Sequence, residues 1–115
     1  MKLPSEAYLL RIFIGESDKF DGRPLYEVIV EKARKKGMAG ATVLRGCLGF
    51  GANSRIHTSK ILRLSEDLPL VVEIVDTPDT VESFVSELGE LIHEGLVTLE
   101  KVRVIFYRHN SVSKP

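Results

Sequence analysis

The chain has 115 residues, 43% apolar and 28% charged, and its 16 basic and 16 acidic side chains cancel to a formal net charge of zero. That length makes one domain with a core of its own, and the composition excludes a disordered chain. Charge balance removes the broad electrostatic reason to bind nucleic acid or an anionic membrane, so neither is an expected partner.

Residues 7–14, "AYLLRIFI", are dense in β-formers and predict a first strand, followed by the turn-rich "GESDKFDGRP". Asp21 or Gly22 is then expected to cap a helix whose first turn holds Pro24. Leu25, Val28, Ile29 and Ala33 share one face of that helix. Lys32, Arg34, Lys35 and Lys36 load its C-terminal end, where the dipole favours cations, and Gly37 is the expected left-handed stop. A second strand is read from Ala41 to Leu48, followed by the polar "GFGANSRIHTSK". A third is "LPLVVEIVD", 68–76, with Pro69 near its start. Thr77 and Pro78 open a second helix in which Val81, Phe84, Val85, Leu88, Leu91 and Ile92 recur at helical spacing, with Gly95 as its end. "LVTLEKVRVIFY" supplies the last strand. Residues 1–109 read as one domain and 110–115 as a polar tail.

The order β-α-β-β-α-β is the split βαβ pattern of a ferredoxin-like α+β fold. Right-handed crossovers put both helices on one face of a four-stranded antiparallel sheet. A solvated opposite face should alternate to polar residues, yet these strands are apolar at both parities. Tyr8, Leu10 and Ile12 alternate with Leu9 and Phe13; Leu70, Val72 and Ile74 alternate with Val71 and Val75; Val102, Val104 and Phe106 alternate with Ile105 and Tyr107. An uncovered face of that size exceeds the few hundred Å² that monomers usually expose. The expectation is an oligomer assembled through the open face.

"GMAGATVLRGCLGFG", 37–51, carries five glycines around a short apolar run. No Gly-Lys-Ser/Thr follows, and the glycines do not open a helix, so neither the Walker loop nor the dinucleotide fingerprint fits. Gly49 and Gly51 allow backbone close to a docked group, with Phe50 between them. The order "GATVLRG", "GFG", "DLPLVVEIVD" resembles the PII signalling proteins, and more closely an uncharacterised PII-like domain family related to them. The likeness runs from the first strand to about Tyr107. It implies a homotrimer with adenine-nucleotide sites in clefts between subunits. It also implies a loop after the second strand that changes shape with the ligand and touches a partner protein, such as a membrane transporter or channel.

Carried over, the resemblance sets Thr42 and Val43 beside the adenine. It sets Gly49, Phe50 and Gly51 at the base of the mobile loop next to the nucleotide, and Arg108 at the phosphates. Arg45 and Arg103 are additional candidate cations. True PII proteins have a glycine- and lysine-containing phosphate loop after the second helix; here Gly95 stands alone, with Lys101 as a spatial substitute. The spacing from "TV" to "GFG" is one residue longer than in true PII, which implies a bulge or register shift. AMP, ADP, ATP and a cyclic nucleotide are therefore all open as ligands, with or without Mg²⁺, and no redox cofactor is implied. The loop holds no tyrosine, which excludes modification there of the kind some PII proteins undergo.

Arg55, His57, Thr58, Ser59 and Lys60 form the expected partner-contacting surface of the loop. Arg11 and Glu73 lie at facing parities and are expected to pair. His57, His93 and His109 have no ligand spacing, so no protein-built metal site is predicted. Cys47 is the one cysteine, excludes an internal disulfide and reads as a small core residue, consistent with a cytoplasmic setting. No run has the length of a membrane span, and residues 1–15 lack the pattern of a secretory leader. An acylphosphatase-like enzyme on this fold would need an arginine after the first strand, where "GESDKF" supplies acids; no triad is apparent, so the protein reads as a binder rather than an enzyme. Two other classes stand beside this reading: a divalent-metal-handling trimer of the cation-tolerance type, and a structural docking trimer with no small ligand.

Overall fold

The computed structural model describes residues 5–50, 57–58 and 68–109. Ten elements follow in chain order: β1 (Glu6–Gly15), β2 (Lys19–Phe20), β3 (Arg23–Pro24), α1 (Leu25–Lys35), β4 (Thr42–Arg45), β5 (Leu48–Gly49), β6 (His57–Thr58), β7 (Pro69–Asp76), α2 (Pro78–Leu88) and β8 (Leu96–Arg103). The main sheet has the order β4-β7-β1-β8 and is antiparallel throughout, the expected ferredoxin-like arrangement.

Strand alternation decides which side is core. Leu10, Ile12 and Ile14 of β1 and Leu70, Val72 and Ile74 of β7 are buried with Leu25, Ile29 and Ala33 of α1 and Val81, Phe84 and Leu88 of α2. Both helices therefore share one sheet face. On the other face Phe13, Leu44 and Leu96 are 36%, 48% and 57% exposed, so the apolar open face read from the sequence is present.

The stop of α1 and the start of α2 both have local causes. Gly37 has φ 80°, its amide donates to the Arg34 carbonyl at 3.0 Å, and the buried Met38 donates to Ala33 at 3.1 Å; this is a Schellman ending. At α2 the Thr77 hydroxyl accepts the Thr80 amide at 3.2 Å, with Pro78 in the first turn as expected.

Four boundaries differ from the sequence reading. Asp21 and Gly22 do not cap α1: both have positive φ, 52° and 79°, and they form the turn of the β2–β3 hairpin, leaving Pro24 at the cap. The second strand breaks after Arg45 rather than running to Leu48. A Cβ on Gly46 would lie 2.9 Å from the Pro69 ring, and the Gly46 amide donates to the Pro69 carbonyl at 2.7 Å. β5 then pairs with β6 instead of the main sheet. Cys47 beside the break is exposed, not in the core, because the chain has left the sheet there. Helix α2 ends at Leu88, not Gly95; the Leu91 and Ile92 amides both turn back to the Leu88 carbonyl. Finally, β8 stops at Arg103, and residues 104–107 leave the sheet.

Candidate functional site

A concavity of about 450 Å³ lies on the open sheet face at the end where β4 begins and β7 finishes. Its size falls within the roughly 300–1,000 Å³ of small-molecule sites. Leu9, Glu73 and Val75 form the sheet floor. One wall is the run Ala39–Thr42 that leads into β4, and the other is Val104, Phe106 and Tyr107 beyond β8.

Two polar anchors hold these walls. Asp76 is fully buried, and its parity puts it on the core side of β7 with Leu70, Val72 and Ile74. Its Oδ2 accepts the Ala39 amide at 2.8 Å and its Oδ1 accepts the Thr77 amide at 2.7 Å. A buried carboxylate with two backbone donors ties the approach to β4 to the start of α2. Across the concavity, the Tyr107 hydroxyl donates to the Ala39 carbonyl at 3.3 Å, and the Val104 amide donates to Ser5 at 2.6 Å. Residues 104–107 thus form a strap from the β8 edge towards the β4 edge.

Electrostatically the floor is a charged cluster rather than a bare carboxylate. Arg11 Nε donates to Glu73 Oε2 at 3.0 Å and Nη1 to Glu100 Oε1 at 2.6 Å, so the expected Arg11–Glu73 pair forms. Hydrogen bonding from Glu73, then Glu100, pushes the Arg11 guanidinium above its already high ordinary value.

The predicted nucleotide-binding residues fall into separate groups. Thr42 lines the concavity. Arg108 stacks its guanidinium 4.2 Å from the centroid of Phe106, a wall residue, and so stands beside it. Val43 faces the other way and packs on the core. Arg45 lies at the far end of β4 and is paired with Glu16. Gly49 packs close to Pro69, and Phe50 is 73% exposed. Gly95 starts the far end of β8, where a Cβ would meet the Phe13 carbonyl at 2.8 Å. Lys101 and Arg103 are exposed on β8. The β4 group and the β8 group thus occupy opposite sheet edges, three inter-strand spacings or about 14 Å apart. Gly51, Arg55, Ser59 and Lys60 lie outside the described residues, as does the tail at 110–115, and His57 and Thr58 are described only as backbone pairing with β5.

Leu9, Glu73, Val75, Asp76, Phe106 and Tyr107 were not predicted as site residues. Asp76 had a usable signal, an acid on the core parity of an otherwise apolar strand. A smaller concavity of about 340 Å³ lies between Asp18, Lys19 and Leu25 on one side and Leu91, His93 and Glu94 on the other. Among the described residues, no three His, Cys, Asp or Glu side chains converge as a metal site, and no helix is long and apolar enough to cross a membrane.

The DUF190 family model, described as Uncharacterized ACR, COG1993, matches residues 7–104. A UPF0166 protein of Aquifex aeolicus is 42% identical over 98 residues, covering 85% of this chain and 92% of that protein. A UPF0166 protein of Methanocaldococcus jannaschii is 33% identical over 100 residues, covering 86% and 92%. Among solved structures, the chain is similar to CPII, a nitrogen regulatory PII-like protein from Thiomonas intermedia K12 bound to ADP, AMP and bicarbonate. The TM-score is 0.67 at 17% identity, over 86% of this chain and 88% of that one. The fold is therefore PII-like as well as ferredoxin-like.

Proposed function

Because the chain belongs to the DUF190 family and has a PII-like fold, we propose that it is a PII-like regulator that binds an adenine nucleotide. In this reading three copies assemble through the open sheet face, and the nucleotide lies in the clefts between them. Ligand binding changes the loop after β4, and the altered loop carries the signal to a partner protein. The protein acts by binding and not by catalysis, in the cytoplasm.

The observation that carries the reading is the concavity at Thr42. It offers apolar floor from Leu9 and Val75 and an aromatic wall at Phe106 and Tyr107, suited to the flat faces of a purine. Arg108 beside it supplies a guanidinium that matches phosphate oxygens. CPII, of similar fold, binds ADP and AMP. Separation of the β4 group from the β8 group supports sites between copies, because a neighbouring copy can bring to one cleft groups that lie at opposite sheet edges within a single chain. The polar strip Arg55, His57, Thr58, Ser59 and Lys60 is the partner surface in this scheme. Gly49, Phe50 and Gly51 are its hinge.

Calorimetric titration with AMP, ADP, ATP and cyclic AMP, each with and without Mg²⁺, tests the proposal. Saturable binding of at least one of them is expected, weakened about tenfold or more by Arg108→Ala. Absence of binding by all four rejects the nucleotide reading, and heat from divalent metals alone points to the metal-handling class.

A further inference from the structure

Each strand of the main sheet contributes one polar residue to a single row across the open face. Thr42 pairs with Glu73, Glu73 with Arg11, and Arg11 with Thr98. Glu100, two residues further along β8, joins the row by accepting Arg11 Nη1 at 2.6 Å. The adjacent row is apolar from edge to edge: Leu44, Val71, Phe13 and Leu96. A compact charge cluster of alternating sign thus sits on an exposed apolar surface, its Arg11 and Glu73 side chains 37% and 32% exposed.

We propose that this row is the recognition element by which a second copy of the chain docks on the open face, fixing the register of the subunits. The inference rests on the self-association in the proposed function and adds what sets its geometry. Three observations select a second copy as the occupant. Glu73, Arg11 and Glu100 alternate minus, plus, minus, so the row is complementary to a displaced copy of itself. The chain has zero formal net charge, so two copies approach without long-range repulsion. The apolar row beside the charges supplies surface whose burial drives association. A lipid surface or an apolar peptide would desolvate the Glu73–Arg11–Glu100 cluster and leave its excess negative charge without a counter-charge, a heavy cost. A polyanion would meet two carboxylates for each guanidinium.

Docking through the row is tested by charge reversal with rescue by mixing. Arg11→Glu makes the row wholly negative, whereas Glu100→Lys, at an exposed edge position, leaves it with a positive majority. Sedimentation velocity should show each variant alone as folded single chains at concentrations where the wild type is assembled, with association weakened at least tenfold. An equimolar mixture of the two should regain assembly. Circular dichroism and thermal melting identify any variant that has lost its fold, and Glu100→Lys alone then decides the question. An assembled wild type whose Glu100→Lys variant assembles equally well overturns the docking role of the row while leaving the nucleotide reading intact. So does folded Arg11→Glu that fails to recover on mixing. A wild type that sediments as single chains overturns self-association itself.

Discussion

Ala39 is held from both ends of its peptide environment, and the stronger hold is Asp76: the buried carboxylate accepts the Ala39 amide at 2.8 Å, linking the approach to β4 to the start of α2. The entry to β4 is also a wall of the candidate site, so fold stability and site shape meet in this one contact. Asp76→Ala strands two backbone donors and removes a fully buried side chain. We expect a loss of about 2–4 kcal/mol in urea unfolding, with Asp76→Asn milder because it keeps one oxygen acceptor. Equal stability of Asp76→Ala and wild type would show that the carboxylate does not bear on the fold.

Tyr107→Phe separates site from fold. It deletes one surface hydrogen bond to the Ala39 carbonyl and leaves the ring in place. Stability should change by less than about 0.5 kcal/mol. Nucleotide affinity should fall about threefold by calorimetry, because the strap loses its tether across the concavity.

Gly95 and Gly89 should respond to alanine in opposite ways. Gly95 has φ 151°, and a Cβ there would lie 2.8 Å from the Phe13 backbone oxygen, which cannot swing aside. Gly95→Ala is expected to cost about 2 kcal/mol or more. Gly89 has helical φ and ψ and nothing within 4 Å, so Gly89→Ala should be neutral or stabilise by about 0.5 kcal/mol. Thermal melts of the two variants make the comparison.

How far the sequence reaches is visible at particular residues. Thr77-Pro78 and Gly37 were legible because caps and stops are made by atoms close in the chain. The two-sided apolar strands were legible because parity is a local property, and they led to the open face. Asp21-Gly22 was ambiguous: the pair serves equally as a cap before Pro24 or as a tight hairpin turn, and pairing of Lys19 with Pro24 decided for the turn. The break at Gly46 and the close fit of Gly95 depend on Pro69 and Phe13, far along the chain. No periodicity reports such contacts. The same is true of the site, since Thr42 could be placed by its motif, whereas the strap at 104–107 meets Ala39 only in three dimensions.

Acid should weaken the fold in part through Glu87 and Glu31. Lys36 donates to Glu87 at 2.7 Å, joining α1 to α2, and this hydrogen bond holds the Glu87 carboxyl below the ordinary glutamate value. Arg23 does the same for Glu31 through two hydrogen bonds, at 3.0 and 2.6 Å. A carboxyl lowered on folding binds fewer protons in the native state than in the unfolded state. Its stabilisation is therefore complete above the ordinary glutamate value, about pH 4.3, and is lost as pH falls through the lowered native value. Glu87→Gln should lower stability slightly near pH 7 and leave it unchanged in strong acid, which flattens that acid limb, as followed by urea midpoints against pH.

Sedimentation velocity of the protein with ADP, recorded by interference and at 260 nm, tests most directly whether subunits and nucleotide form one unit. The chain contains no tryptophan and three tyrosines, so adenine dominates that absorbance. The account predicts nucleotide absorbance travelling with a particle of three chains, at about one ADP per chain. Protein sedimenting as single chains, or nucleotide absorbance that does not travel with the protein for ADP, AMP, ATP and cyclic AMP alike, would contradict it.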